Sequence, residues 1–517
     1  MESQTEIERK YEVVEGHEVP PLTGLGDLVA RGEADLDAEY FDTAEGDLAA
    51  HRIVLRRRSG GHDEGWHIKL PAEEGRTELH WPLAEGEAPA EALDVVRVHL
   101  RDRPLQLFAR IHTHRTILHL VADGGVEVLE IADDRVSASD PATGVVRLWR
   151  EWEVELLDGA PDSPETRAEL LDRVEEQLVA AGATPAKSVS KLASALGRTG
   201  LGHPPAPLPG LDRSSALSEV VMRAASALVD DLKELDPAVR REEHDAVHRM
   251  RTRARRLRSL LSSYRVVFDA DAVDALREEL KAFSELLGEA RDAEVMLERS
   301  MVLIDDHREV AGRAEKKLAG GWRTAHGIAV AALAARMSDT RYFRLLDALD
   351  AFVARPPLAG NGMPSDAGAG SSGESEPAAG SGPAEDAVPK ILARDLRRVL
   401  KTAKAAAAAE SEDARVELLH ETRKAAKRLR YSAEAVSAGA AAVFGKKVRT
   451  LAAAAEAVHD LLGEHRDSVI LQQHLLATAG AGDHAFAYGV LFEVERHGAA
   501  LCLAEYPDAL RDLKRLR

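Results

Sequence analysis

Apolar and charged residues alternate with period two through most of the first 195 positions, in EIERKYEV, IVLRRRS, WHIKLP, RTELHWPL, ILHLVAD, VEVLEIADD and LWREWEVELL. This alternation predicts strands. The residues opposite the apolar set are clustered charges. Glu6, Glu8 and Lys10 share one strand face, and Arg52, Val54, Arg56 and Arg58 another. Lys69 lies on WHIKLP, Arg76 and Glu78 on the next strand, Glu130 and Asp134 on EIADD, and Glu151, Glu153 and Glu155 on the last. One such strand is explained by a solvated face; seven together predict a closed barrel with a polar lumen in which charges of both signs face each other. Period two leaves open whether Asp133 or Asp134 points inward, and whether Arg110, His112 and His114 face the lumen in place of Arg115, because a bulge flips the register.

From residue 161 to 182 the spacing changes to that of an amphipathic helix, with Ser163 as its cap and Pro164 at the first helical position. KSVSKLASALG leads into GHPPAPLPG, whose prolines make a stiff linker over residues 201–212. The first domain is therefore placed at residues 1–200 and a second at 213–517. In the second, apolar residues recur at three and four throughout and strand signals vanish. Residues 356–389 are rich in Gly, Ser, Ala, Pro and Glu, and predict a disordered insertion between two helical halves. Helices resume at Lys390, where Arg394, Arg397, Arg398, Lys401 and Lys404 extend a basic surface.

The two halves repeat each other. HRMRTRARRLR from His248 to Arg258 returns as HETRKAAKRLR from His420 to Arg430, and LLGEARD ending at Asp292 returns as LLGEHRD ending at Asp467. At 100° per residue, His248, Arg251, Arg255 and Arg258 fall in one arc beside an apolar stripe of Met250, Ala254, Leu257 and Leu261; His420, Arg423, Lys427 and Arg430 repeat that arc. Any mixture of charges would satisfy solvent, yet neither arc contains an acidic residue. Stacked cations call for an anionic partner, and guanidinium forks suit phosphate oxygens.

Composition narrows the picture. The 517 residues carry a net charge of −20, so the whole molecule repels nucleic acid and anionic membranes, and an anion site must be a local basic concentration. Cys502 is the only cysteine, which excludes internal disulfides and thiolate metal clusters and fits a reducing cytosol. The charged start MESQTEIERK gives no signal peptide, and no apolar run reaches membrane-spanning length.

Glu6-x-Glu8-x-Lys10, followed by YFDT, LRRR, WHIKLP, EIADD and WEVEL, resembles the CYTH superfamily, the triphosphate tunnel metalloenzymes, over nearly the whole first domain. The resemblance implies an eight-stranded antiparallel tunnel, dependence on Mg²⁺ or Mn²⁺, and triphosphate hydrolysis, with nucleotide cyclisation a minority activity. The residues suit that chemistry. Hard cations want carboxylate oxygens, which Glu6, Glu8, Glu130, Asp134, Glu153 and Glu155 supply. Triphosphate wants cations: Lys10, Arg56, Arg58 and Lys69 as catalytic groups, and Arg52, Arg76, Arg115 and Lys191 as substrate-binding ones, Lys191 matching a family lysine. Phosphoryl transfer needs positioning and charge stabilisation rather than a protein nucleophile.

The second domain resembles the CHAD domain, the conserved-histidine α-helical domain, on H-x-x-R-x-x-x-[RK]-R-L-R twice and L-G-E-x-R-D twice. This implies a two-repeat all-α bundle around a basic channel for inorganic polyphosphate, onto which His248, Arg251, Arg255, Arg258, His420, Arg423, Lys427 and Arg430 carry over. Arg291 and Arg466 match as well, although an Arg bridged to its neighbouring Asp serves packing equally. The expected protein is thus a triphosphatase joined to a polyphosphate binder, located in the cytoplasm and at polyphosphate granules. The alternatives are a non-catalytic polyphosphate scaffold, a cyclase, or a nucleic-acid binder. The last is disfavoured because aromatic content is 4% and none lies in the basic arc for base stacking.

Overall fold

In the computed structural model, residues 2–83, 86–188, 190–202, 208–311, 315–359, 380–479 and 485–517 are described. The first unit, Met1–Leu208, contains β1 (Glu2–Glu6), β2 (Glu8–Glu12), β3 (Asp27–Asp42), β4 (Val54–Ser59), β5 (Gly65–Pro71), β6 (Arg76–Pro82), β7 (Gln106–Ala122), β8 (Val126–Ser139), β9 (Val146–Leu156) and β10 (Thr184–Pro185). They form one sheet in the order β1-β6-β5-β4-β3-β7-β8-β9-β2-β10, and every pairing is antiparallel. The count is ten where eight strands were expected. The N-terminal strand is interrupted at Ile7 and so counts twice, and β10 is a two-residue addition to β2. The interruption closes the barrel: β1 pairs with β6, β2 pairs with β9, and only Ile7 lies between β1 and β2.

The apolar faces of the strands point mainly outward, where helices cover them. Leu171, Val174 and Leu178 of the helix Pro164–Ala180 pack on Tyr11, Leu129, Ile131, Trp152 and Val154. Val95, Val96 and Leu100 of the helix Ala90–Leu100 pack on Leu55, Trp66, Ile68 and Trp81. A third cluster differs: Leu192, Ala193 and Ala195 of the short helix Lys191–Ala195 pack on Ala38, Tyr40, Val54, Ile111 and Val136. Ala38, Tyr40, Val54 and Ile111 face the lumen, so this helix stops one part of the tunnel with apolar side chains. Ser163 caps the helix Pro164–Ala180 by accepting from the Thr166 N–H at 3.2 Å, as its sequence predicts.

The second unit, Pro209–Arg517, is helical. Its first half has Leu217–Glu234, Ala246–Ser263, Ala270–Asp306, Glu315–Met337 and Thr340–Ala354 as main helices; the second has Ala384–Ala407, Glu412–Ser437, Lys446–Ala479 and Ala485–Arg515. Of the segment 356–389 expected to be disordered, 360–379 lie outside the described residues, but its flanks are ordered. The helix begins at Ala384, ahead of the expected Lys390, and runs through Pro389. Before it, the Leu217 N–H donates to Gly382 O at 2.9 Å and the Ala384 N–H to Ser215 O at 2.9 Å, while on the other flank the Asp269 N–H donates to Pro357 O at 2.8 Å. Backbone pairing anchors these flanks, which a reading of side-chain composition overlooks.

Met250, Ala254, Leu257 and Leu261 are all 0% exposed, as the apolar stripe requires. The two basic helices meet through equivalent positions. Arg256 pairs with Glu434 at 2.9 Å, and Arg428, its counterpart in the second repeat, donates to the carbonyl of Ser262, the counterpart of Glu434, at 2.9 Å. Such reciprocity is the mark of an isologous contact between duplicated halves.

Candidate functional site

The barrel encloses a cavity of about 270 Å³ whose wall carries Glu6, Glu8, Lys10, Arg56, Arg58, Lys69, Arg76, Arg115, Glu130, Glu153, Glu155 and Lys191. The register explains the convergence: Lys10 lies opposite Glu153, Glu8 opposite Glu155, and Glu155 opposite Glu130 on the next strand. Glu6 stands before the break at Ile7 and Glu8 and Lys10 after it, so the Glu-x-Glu-x-Lys motif straddles the seam where the barrel closes.

The register also resolves the open positions. Arg115 lies opposite Asp134 with no bulge nearby, and donates to it through Nε at 2.8 Å and Nη2 at 2.7 Å. Asp133 faces outward and pairs with Arg150 at 2.7 Å. Arg110, His112 and His114 also face outward, against Glu39, Asp37 and Asp35. Arg52 is a correction. It sits in the turn after the helix Asp47–Ala50 with φ 61°, is exposed, and precedes β4 rather than extending it. Glu78 is a lumen group the candidate set omitted, although its alternation with Arg76 marked it: it accepts from Arg56 at 3.0 Å and contacts Lys69 at 3.4 Å and His67 at 2.6 Å.

The carboxylates divide into two groups. Asp134, Glu151 and Glu153 offer oxygens within 4.8 Å of one another, a trio able to hold a cation. Here they surround the Lys191 ammonium, at 2.8 Å from both Asp134 and Glu151 and in contact with Glu153. Glu153 also meets Lys10, and Arg115 at 2.5 Å. Burial opposes its ionisation, but Lys10, Lys191 and Arg115 overcome that and hold it well below the usual carboxylate range. Glu6 and Glu155 are under-compensated. Burial pushes Glu6 up to about 8 although Lys69 lies 2.5 Å away, and burial pushes Glu155 up to about 7 with Glu8, Glu153 and Glu130 adding to it. Oxygen donors crowded in this way, with too little positive charge between them, fit a hard divalent cation. Lys191 comes in on the stopper helix, so the apolar packing of Leu192 fixes where that ammonium sits.

The second unit has a groove of about 660 Å³. Arg251, Arg255 and Arg258 line it from the first basic helix and His420 and Lys427 from the second, joined by Arg277, Lys424, Arg428 and Arg466. Arg277, Lys424 and Arg428 were not expected there. Burial and then Arg255, Arg423, Arg251 and Arg258 push Lys427 down to about 7, and burial with Arg251 pushes Arg255 down to about 10, partly offset by Asp292. Glu285, Glu289 and Asp292 also line the groove, and Asp292 pairs with Arg251 at 2.7 Å. Burial lowers both histidines, aided by Arg291 at His248 and by Arg466 at His420. Not every expected residue is in the groove: His248 and Arg423 are absent from its described lining. Arg430 is neutralised by Glu434 at 2.8 Å and Glu456 at 2.6 Å and is not part of the groove lining. Arg291 pairs with Glu294 at 2.8 Å. On the helix Ala384–Ala407, Arg394 donates to Ser263 O at 2.9 Å, and Arg397, Arg398, Lys401 and Lys404 are exposed. No described helix is long and apolar enough to cross a membrane.

Comparison with known proteins agrees with this division. The protein Rv2226 of Mycobacterium tuberculosis (strain H37Rv) is 38% identical over 536 residues, covering 98% of this chain and 96% of that one. Among solved structures, the CHAD domain from the plant Ricinus communis is 24% identical with a TM-score of 0.44, over 61% of this chain and 98% of that one. PptA from Streptomyces chartreusis is 19% identical with a TM-score of 0.44, over 57% and 100%. The CYTH domain family matches residues 4–184 and the CHAD domain family residues 223–476. The chain therefore belongs to the proteins that join an N-terminal CYTH domain, here a tunnel, to a C-terminal CHAD domain.

Proposed function

We propose that the tunnel is a metal-dependent triphosphatase and that the helical unit binds inorganic polyphosphate. The observation that carries the first part is the pairing of under-compensated carboxylates, Glu6 and Glu155, with clustered cations on the wall of one closed cavity. A scaffold that merely held polyanions would gain nothing from inward carboxylates. Glu6, Glu8, Glu130 and Glu155 are the residues that would hold Mg²⁺ or Mn²⁺, which when bound supplies positive charge to the phosphate oxygens. Asp134 and Glu153 orient Arg115, Lys10 and Lys191 toward the lumen. Lys10, Arg56, Arg58 and Lys69 then stabilise charge that spreads over the transferring phosphoryl group, and Arg76, Arg115 and Lys191 position the rest of the chain.

The test is phosphate release from tripolyphosphate, thiamine triphosphate, nucleoside triphosphates and long polyphosphate, with Mg²⁺ or Mn²⁺, by the wild type and by the double variant Glu6→Gln, Glu8→Gln. Release that needs the cation and disappears in the folded double variant supports the reading. Release at an undiminished rate in that variant removes this site from consideration. For the helical unit the supporting observation is the groove lined from both repeats, whose described lining contains no aromatic side chain for stacking bases.

A further inference from the structure

Lys10, Arg56, Lys69 and Arg115 are each held by carboxylates carried on the barrel strands themselves: Glu8 and Glu153, Glu78, Glu6, and Asp134. A ligand can draw on those charges but cannot displace their partners without disturbing the wall. Arg58 is held differently. Its counter-ion is Asp63, in the turn that joins β4 to β5, and Gly61, His62 and Asp63 of that turn form part of the cavity lining. The turn is built to bring Asp63 inward. Gly60 and Gly61 both have left-handed backbone, φ 81° and 84°, and a Cβ at Gly60 would come within 2.0 Å of Asp35 O, so only glycine permits the chain to fold back there. Beyond it, the Asp63 carbonyl lies 2.9 Å from Nε2 of the buried His67.

Arg58 also has unmet demand for an anion; Arg56 shares the orphaned Nε but is held up by Glu78, whereas Arg58 is pushed down. It is 8% exposed, its Nε is buried without a hydrogen-bond partner, and burial together with Arg56 and Arg115 pushes it down to about 9. The Asp63 side chain is 34% exposed, so it can turn out to solvent at little cost.

We propose that Asp63 is a specificity-determining residue of the tunnel: its carboxylate occupies the place on Arg58 that a terminal phosphate of the substrate takes, and the substrate must displace it. This rests on the triphosphatase reading of the same cavity. The competition favours a particular ligand class. A terminal phosphate carries about −1.5 to −2 charge and three acceptor oxygens, enough to replace a single carboxylate and to reach the orphaned Nε as well. A group of one negative charge has no such advantage and leaves Asp63 seated. The tunnel thereby selects chains with a free phosphate end.

The experiment is steady-state hydrolysis of tripolyphosphate with Mg²⁺ by the wild type, Asp63→Asn, Arg58→Ala and the double variant, with thermal unfolding as a check on folding. Asparagine keeps the turn and the shape while removing the competing charge. KM should fall by about twofold to fivefold in Asp63→Asn, the range expected for a partly exposed ion pair, with kcat unchanged or lower because product phosphate is also held longer. The same substitution should change nothing in the Arg58→Ala background. An unchanged or raised KM in Asp63→Asn, or a fall that persists without Arg58, overturns the inference while leaving the triphosphatase intact. A wild type that hydrolyses no triphosphate overturns that reading and this one with it.

Discussion

Gly463 lies beneath the guanidinium of Arg423, so that a Cβ placed on it would come 3.2 Å from Nε and 3.3 Å from Nη2. The equivalent pair in the first repeat, Gly288 and Arg251, is looser, with the nearest guanidinium nitrogen at 3.5 Å. This relationship gives the duplicated Leu-Gly-Glu-x-Arg-Asp motif its physical sense: a helix side without a Cβ lets the cation of the neighbouring helix lie flat, which in the first repeat places Arg251 in the groove lining. Gly463→Ala should push Arg423 aside and weaken polyphosphate binding by roughly tenfold, the worth of one charge-assisted hydrogen bond, while Gly288→Ala weakens it less. Both should unfold at a temperature no lower than the wild type, because alanine favours a helix over glycine by about 1 kcal/mol. Calorimetric titration with long-chain polyphosphate and thermal unfolding of both variants separate the two effects; equal affinities would show that Arg423 does not depend on the glycine.

If the groove binds polyphosphate as proposed, Lys427 should make that binding a proton-coupled event. Burial and the charges of Arg255, Arg423, Arg251 and Arg258 bring it down to about 7, so part of the population is neutral at physiological pH. A polyanion in the groove raises that value, and binding therefore takes up protons near and above pH 7. Affinity should be greatest below pH 7 and fall as pH rises toward 9, and the binding enthalpy should vary with the ionisation heat of the buffer. The sign for stability is opposite. The unfolded chain keeps this proton to about pH 10.4, so between 7 and 10.4 folding releases it, and the destabilisation that the buried charge causes below pH 7 fades as pH rises. Lys427→Met should remove the buffer dependence and raise the unfolding temperature at pH 6; buffer dependence that survives in this variant assigns the proton to another group.

How much of this was legible in the sequence depended on whether side chains or backbone held the information. The lumen was readable because charges recur at alternate positions of β2 and β9 and, with apolar interruptions at Val54 and Ala132, of β4 and β8. By contrast β3 was not read as a strand, since Glu33, Asp35, Asp37 and Glu39 occupy its outward side and such residues are depleted in strands; its pairing with β7 overrides that preference. Arg52 was misplaced because alternation continues on paper into a turn that only a left-handed backbone reveals. Arg430 shares the helical angle of its neighbours, yet Glu434 four residues on and Glu456 from another helix neutralise it; the first pairing could have been read from spacing, the second depends on how the helices pack. The role of Asp63 was hidden for the same reason, as it depends on a fold-back at two glycines.

Lys191 should be a structural keystone as well as a substrate contact. Its ammonium lies among Asp134, Glu151 and Glu153, and removing one member of a buried ion cluster leaves uncompensated charge at a cost of about 3–5 kcal/mol. Lys191→Met should lower the unfolding temperature markedly, and adding Glu151→Gln to it should recover much of the loss. If the single variant unfolds at the wild-type temperature, the lysine is not needed to neutralise the cluster.

The groove itself yields a prediction that separates its structure from the sequence pattern. By helical angle, Arg430 belongs with Arg423 and Lys427, whereas Arg277 and Arg428 lie outside the duplicated arcs. By geometry, Arg430 is bound to Glu434 and Glu456, whereas Arg428 lines the groove with its nearest carboxylate, Asp395, at 3.7 Å; Arg277 lines it too but is paired with Asp274 at 2.6 Å. A linear polyanion releases condensed counterions for each phosphate that a protein cation neutralises, so the logarithm of affinity falls linearly with the logarithm of salt concentration, by about 0.7 per contact for a single strand. Replacing Arg428 with alanine in the full chain should therefore weaken long-chain polyphosphate binding and flatten the salt slope by about 0.7. Replacing Arg430 should leave the slope unchanged, because its charge is already spent on carboxylates. Tripolyphosphate is too short to span the contributions of both repeats, so variants carrying Glu6→Gln and Glu8→Gln should still prefer the long chain, through the groove alone. Titrations at several salt concentrations decide the matter: a slope that drops on loss of Arg430 and not on loss of Arg428 would return the binding surface to the helical arcs and away from the groove.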